Sequence, residues 1–176
     1  MTIEEYLDFE GRSLVKHEYV AGRVYAFAGT SIRHNKIFTN VFEMLASPTR
    51  EQGCWLFGSD ARLRVEDDAV YYPDLMVVCD LDEAEDRYVT NPCLLIEILS
   101  RSTANRDRRE KLLVYRGIPS LRGYLLVEQD KRKAELHWRD GAGNWQHIAA
   151  VGDGKLSLPC PETTVHLTSV YRGLQI

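Results

Sequence analysis

Asn91–Lys111 reads NPCLLIEILSRSTANRDRREK. The run from Cys93 to Leu99 is apolar except for Glu97, and Asn91-Pro92 opens it. A continuous apolar run of that length is the pattern of a strand buried on both faces. An ionised carboxylate inside such a strand is costly unless a cation or a hydrogen-bond network compensates it, so Glu97 is the first residue to explain. The segment that follows is basic and patterned as a helix, with Arg101, Arg106, Arg108, Arg109, Lys111 and Arg116, and Gly117 and Pro119 stop it.

Upstream, Tyr71–Cys79 (YYPDLMVVC) reads as a second buried strand. Pro73 belongs at its start or at an edge, and Asp74 is then its first polar group. Period-2 alternation places Asp74, Met76 and Val78 on one face, and Leu95, Glu97 and Leu99 on one face of the other strand. The two acids are 23 residues apart (97 − 74), room for a turn and a return, so paired strands in the right register bring them together. Close carboxylates repel, and either one stays protonated or both bind a cation. Magnesium suits such a site, since it takes oxygen ligands and typically uses one or two carboxylates plus a phosphate. Each acid also has a plainer reading: Asp74 as a strand-start cap, Glu97 as the partner of an arginine.

Lys111 shares a helix face with Arg108 and Tyr115 by i, i+3, i+7 spacing. A lysine there could hold a water or stabilise developing phosphorane charge. It could equally form an i, i+4 pair with Asp107, worth ~0.2–0.5 kcal/mol. The basic cluster could lie along a phosphate backbone or be a solvated helix face.

The rest of the chain supplies a frame. Thr2-Ile3-Glu4-Glu5 fits a capping box and predicts a short opening helix. Two β-rich runs from His17 to Phe27 flank Ala21-Gly22 as a hairpin, with Glu18 in the first strand. Thr30 or Ser31 caps a helix to about Ala46, whose apolar stripe is Ile37, Val41 and Leu45 with Phe38. His34 is in register with that stripe, either as a partly buried histidine near a helix start or as a site residue. Trp55–Phe57 and Ala61–Val65 read as strands, Asp67-Asp68 as a turn and the acidic Asp80–Asp86 as a solvated loop. Gly123–Glu128 is a strand, and Glu135–Trp138 with Trp145–Val151 a second hairpin. From Gly152 come short β-like pieces and a last helical turn near Ser169. The order predicts one mixed α/β or α+β domain over residues 1–176.

The 176 residues are 44% hydrophobic, enough for one ordinary core. A formal net charge of -4 implies no general basic surface, so contact with nucleic acid must come from a local patch. The four cysteines have no CxxC spacing and predict a reducing, cytoplasmic compartment without structural zinc. No signal-peptide pattern is seen, and no apolar stretch approaches the ~20 residues that span a bilayer. Gly58-Ser59-Asp60 lacks nucleophile-elbow spacing, the five histidines show no short ligand spacing, and there is no glycine-rich phosphate loop. Serine- or cysteine-hydrolase and zinc-enzyme readings are disfavoured accordingly, and a metal-dependent hydrolase acting on a different phosphoester is a lesser alternative.

The combined pattern resembles the PD-(D/E)XK nuclease superfamily, and in detail its Uma-type branch of restriction-endonuclease-like proteins. The resemblance rests on His17-Glu18-Tyr19 with Gly22, His34-Asn35 opening a helix, and Tyr72-Pro73-Asp74. It continues through Leu95-Ile96-Glu97-Ile98-Leu99-Ser100, Asp107 with Lys111 and Tyr115, and Gly117 before Gly123-Tyr124-Leu125-Leu126-Val127. It implies a restriction-endonuclease-like fold, a mixed central sheet flanked by helices, and a metal-dependent phosphodiesterase site. Asp74, Glu97 and the Ile98 backbone carbonyl would ligate Mg²⁺ or Mn²⁺, with Glu18 as an additional acid. The superfamily's basic form has lysine two residues after the acid. Here Leu99 stands there, and the role passes to Lys111 on the following helix, a relocation the Uma-type pattern itself shows. The expected activity is DNA endonuclease, with a homodimer making double-strand cuts. The alternative is a catalytically inactive nuclease-fold module that binds nucleic acid or a partner protein.

Overall fold

The structure, a computed structural model, describes residues 1–27, 29–82, 84–100 and 104–176. Arg101 of the basic cluster and Glu83 of the acidic loop lie outside the described residues. Thr2 caps α1 (Ile3–Glu10) through the reciprocal capping box with Glu5. β1 (His17–Val20) and β2 (Arg23–Ala26) form the first hairpin. Its turn residues Ala21 and Gly22 have φ of 48° and 82°, as a two-residue turn with left-handed centres requires. α2 (Ile32–Glu51) is capped by Ser31 and buries Ile37, Val41 and Leu45. It runs five residues past the expected end at Ala46, through Pro48. The buried Leu45 and Thr49 flank that proline and hold the last turn on the core.

β3 (Trp55–Gly58), β4 (Leu63–Val65), β5 (Ala69–Tyr71) and β6 (Leu75–Val78) follow. The expected single strand over Tyr71–Cys79 is thus two strands in different sheets. β5 lies in a four-stranded sheet of order β2-β1-β5-β4, and β6 in a six-stranded sheet of order β10-β9-β8-β7-β6-β3. The break falls at Tyr72-Pro73-Asp74. Proline has no N–H to give a ladder, and the chain uses it to change sheets. β7 (Leu94–Leu99) is buried at every position. It pairs antiparallel with β6 and parallel with β8 (Gly123–Glu128).

A parallel pair needs a crossover, here the basic helix. It is built of α3 (Ala104–Arg106), a π-helical segment (Asp107–Lys111) and α4 (Leu112–Arg116). An α-helix throughout would be the simpler expectation. The i→i+5 turn of a π segment is rare and often sits at functional sites. β9 (Lys133–Arg139) and β10 (Trp145–Val151) complete the large sheet. β11 (Lys155–Pro159) and β12 (Glu162–His166) form a separate hairpin before α5 (Leu167–Val170).

The large sheet has a core on each face. One packs Leu75, Val77, Leu94, Ile96 and Ile98 against Ile37, Val41 and Leu45 of α2. The other packs Met76, Val78, Leu95, Leu99 and Leu126 with Tyr115 of α4 and Tyr71 of β5. Each fully buried aliphatic side chain contributes about 1.5–3 kcal/mol, which fixes both strand faces and hence where Glu97 points. The cysteines depart from expectation. All four are disulfide-bonded, Cys54 to Cys79 and Cys93 to Cys160, and among the described residues none is free. Among the described residues no helix is long and apolar enough to cross a membrane.

Candidate active site

Asp74 and Glu97 reach each other through strand register. β6 pairs with β7 as Leu75 opposite Ile96 and Met76 opposite Leu95. One further step sets Asp74 opposite Glu97. Both are almost fully buried, each 5% exposed. Asp74 Oδ2 accepts the Ile98 backbone N–H at 2.7 Å and lies 3.1 Å from His34 Nε2. Glu97 Oε1 accepts from Lys111 Nζ at 2.8 Å and from the Tyr115 hydroxyl at 3.3 Å. Each acid therefore commits one oxygen to protein donors. Among the described residues Asp74 Oδ1 and Glu97 Oε2 carry no hydrogen bond.

Lys111 is held by more than Glu97. Its ammonium is 3.2 Å from Glu18 Oε1 and 3.4 Å from Asp107 Oδ1, and it sits over the Tyr71 ring, 5.5 Å from the centroid. The i, i+4 pair with Asp107 does form, as the plainer reading has it, and it lies inside the acid cluster. The second oxygen of Glu18 is taken by Arg106 at 2.7 Å. Beneath lies a ladder of edge-to-face tyrosines, Tyr71 on Tyr115 at 5.5 Å and Tyr115 on Tyr124 at 5.1 Å. The Tyr124 hydroxyl donates to the Asp107 carbonyl.

These groups border a cavity of about 370 Å³, whose walls include Glu18, His34, Asp74, Glu97, Ile98 and Lys111. The electrostatics follow from burial. Desolvation pushes the Glu97 carboxyl well above its ordinary range; Asp107 and Asp74 add to this, and the Lys111 ammonium opposes it. Desolvation alone would lower Lys111. Glu97, Glu18 and Asp107 outweigh it and hold its pKa well above the usual value, so Lys111 stays protonated. Burial and Glu97 likewise keep the Tyr115 phenol un-ionised.

All four residues singled out from sequence, Glu18, Asp74, Glu97 and Lys111, line this cavity, and so does Ile98. His34 is a buried histidine near the start of α2, as its plainer reading has it, and it also lines the cavity, 3.1 Å from Asp74. Its register with the buried α2 stripe was the signal, since that face meets the sheet at Asp74. Sequence reasoning does not single out Arg106, and it takes Asp107 only as the partner of Lys111. Among the described residues the basic cluster is partly engaged in ion pairs and partly exposed. Arg106 binds Glu18, Arg108 binds Glu128 and Glu135, and Arg109 faces solvent.

The residues fit a divalent cation on charge. Four carboxylates (Glu18, Asp74, Glu97, Asp107) face two fixed cations, Lys111 and Arg106. All the acidic donors are hard oxygens, the set that suits Mg²⁺ or Mn²⁺.

The sheet order, the parallel β7–β8 pair across its crossover helix and the flanking helices define a restriction-endonuclease-like fold. A structural relative from Anabaena variabilis, described as "a putative nuclease belonging to DUF820", superposes with a TM-score of 0.80 at 15% identity, covering 97% of each chain. The chain belongs to the Uma2 family, described as "Putative restriction endonuclease", whose model matches residues 3–168. Two uncharacterised proteins of Synechocystis sp. PCC 6803 are similar in sequence. Slr1290 is 32% identical, with 97% of this chain and 91% of that protein covered; sll1609 is 33% identical, with 87% and 89% covered.

Proposed function

We propose that this chain is a metal-dependent DNA endonuclease that hydrolyses phosphodiester bonds at the cavity of Asp74, Glu97, Lys111 and Glu18. The observation that carries the reading is the β6–β7 register, which sets Asp74 opposite Glu97 one step beyond the Leu75–Ile96 pair, with Lys111 Nζ 2.8 Å from Glu97. Asp74 Oδ1 and Glu97 Oε2 are the atoms that would hold Mg²⁺ or Mn²⁺, with the Ile98 carbonyl as a further candidate ligand. A bound ion would supply Lewis-acid stabilisation of the phosphate and acidify the attacking water.

The protein groups divide the remaining work. His34 and the Ile98 N–H fix the Asp74 carboxylate by its other oxygen, which orients the atom offered to the ion. Lys111, protonated and desolvated, orients water by hydrogen bonding or neutralises charge gathering on the phosphate. Glu18 and Asp107 hold the lysine over the cavity. The tyrosine ladder keeps bulk water from the floor of the site. Water adds to phosphorus and the ester oxygen leaves with a proton, giving a phosphomonoester and a hydroxyl end. Two copies, one per strand, would make a double-strand cut.

The test is cleavage of DNA by protein free of contaminating nuclease, with Mg²⁺ and with Mn²⁺. Wild type should cut with at least one metal. Glu97→Gln should lose at least a hundredfold in rate with an unchanged circular dichroism spectrum. Calorimetry should show Mn²⁺ binding to wild type and its loss in Asp74→Asn. Salt-dependent DNA binding without turnover, unaffected by Glu97→Gln, would instead identify a nuclease-fold binding module.

A further inference from the structure

The four cysteines lie far apart in the chain and meet at one place, at the opposite end of β6 and β7 from the acid cavity. Cys54 precedes β3 and Cys79 follows β6. The β3–β6 register pairs Trp55 with Val78, and its next step sets Cys54 across from Cys79, with Cα atoms 4.0 Å apart. Cys93 precedes β7 and donates its N–H to the Val77 carbonyl at 2.8 Å. Cys160 is buried in the β11–β12 turn, carried there by the separate hairpin. The two disulfides are not merely neighbours. Cys79 Sγ lies 3.6 Å from Cys93 Sγ and 3.6 Å from Cys160 Sγ. The sulfurs of Cys54, Cys79 and Cys160 all lie within 4.8 Å of one another.

Those separations between the bonds have a chemical meaning. Zinc holds thiolates at about 2.3 Å in a tetrahedron. That geometry separates the sulfurs by roughly 3.8 Å, close to the 3.6 Å already present between the two bonds. Cys54, Cys79 and Cys160 form the mutually close group, and Cys93 adjoins it through Cys79 and Cys160; soft sulfur donors select zinc over the hard ions that suit the carboxylate cavity. Reduction frees the sulfurs within each bond to move apart by rotation about Cα–Cβ, without moving the strands. Cys79 is exposed and gives reductant and metal a way in, while Cys93 and Cys160 are sheltered.

We propose that the reduced chain binds one zinc ion through Cys54, Cys79, Cys93 and Cys160. Each disulfide is reduced by two electrons: two thiols supply them with two protons and become a disulfide, or a phosphine supplies them while water gives the two protons and the oxygen of the phosphine oxide. Binding of Zn²⁺ then releases the four thiol protons to solvent and leaves a site of net charge −2. The ion fastens the β11–β12 hairpin to the β3–β6–β7 edge of the large sheet, the same junction the disulfides close in the oxidised chain. The site is independent of the nuclease reading, because it shares no residue with the acid cavity.

Cobalt(II) is the probe. The full chain is reduced with a phosphine, stripped with a chelator and titrated with Co²⁺ under argon, with excess Mg²⁺ present to occupy oxygen sites. One Co²⁺ per chain should bind with the intense visible bands of a tetrahedral tetrathiolate and a sulfur-to-cobalt charge-transfer band, both displaced by equimolar Zn²⁺. Cys79→Ser and Cys160→Ser should each lose that spectrum and weaken zinc binding at least a hundredfold. Asp74→Asn should keep both. If the reduced, stripped chain unfolds, Zn²⁺ should restore its circular dichroism. Absence of the tetrathiolate bands in reduced wild type, their persistence in Cys79→Ser, or failure of Zn²⁺ to refold an unfolded reduced chain each overturns the proposal.

Discussion

Lys111 is a cation enclosed by acids, with Glu97, Glu18 and Asp107 at 2.8, 3.2 and 3.4 Å. Removing it leaves buried carboxylates facing one another, and breaking a buried pair from one side costs about 3–5 kcal/mol. Lys111→Met should therefore lose about that much stability in urea unfolding with EDTA present. Millimolar Mn²⁺ should restore more stability to the variant than it adds to wild type, since the ion would take over the missing positive charge. Equal effects of Mn²⁺ on both would show that the acids are not sharing one electrostatic site. At this scale the sequence is informative about Asp74 and Glu97, because period 2 and a plausible return length put both acids on one face. It is less informative about Lys111. Helical spacing places it near the seam, but its reach to Glu97 depends on a crossover helix packed on the correct sheet face. His34 stays two-sided until α2 is docked on the sheet, since a stripe gives a direction and no partner.

Among the elements, α2 shows how a cap serves the site as well as the helix. Ser31 Oγ accepts the His34 N–H at 3.1 Å, and its hydroxyl donates to Gln129 Oε1 at 2.6 Å, just past β8. Loss of a serine cap costs about 0.5–2 kcal/mol. Ser31→Ala should fall at the upper part of that range because the bond to Gln129 goes as well, and Ser31→Thr should recover most of it. Urea midpoints of the two variants decide the matter; an unchanged midpoint in Ser31→Ala would mean that the cap carries no load. Element types were largely legible: the capping box of α1, the Ala21-Gly22 turn, β7 and β8 all stand where their patterns put them. Two features were not. Tyr71–Cys79 has the composition of one strand, and nothing local says that its halves join different sheets, although Pro73 marks the place. The π segment was also hidden, because an i→i+5 turn has the same residue preferences as the α-helix around it.

Over the whole molecule, a mixed α/β or α+β domain followed from the order of elements and the mixed central sheet from the family resemblance, but the meeting of the cysteines followed from neither. Cys93 and Cys160 are 67 residues apart, and their contact depends on where the β11–β12 hairpin docks, which no local pattern encodes. The same long-range packing sets a pH dependence of global stability at the far end of the sheet. His137 of β9 is enclosed on several sides. His147 of β10 lies 4.5 Å from it ring to ring, Tyr124 of β8 lies 6.5 Å away, and Arg116 of α4 and Glu135 of its own strand also face it. Burial, then His147 and Arg116, depress its pKa from 6.5 to about 4, against a smaller opposing pull from Glu135. Its Nδ1 is buried and has no hydrogen-bond partner among the described residues. The histidine is thus neutral in the fold and protonates more readily in the unfolded chain. With the folded pKa below the unfolded one, its contribution is complete above about pH 6.5, falls as pH drops towards 4 and is constant below that. The loss should be on the order of 2 kcal/mol. The acidic groups titrate in the same experiment, so the quantity to measure is the difference between wild type and His137→Gln in urea unfolding from pH 7.5 to 4.5. Wild type should lose stability over that interval faster than the variant, and the gap between the two curves should stop changing above pH 7. Parallel curves would mean that His137 takes up its proton as easily in the fold as out of it, and that the enclosure by β8, β10 and α4 is looser than the packing implies.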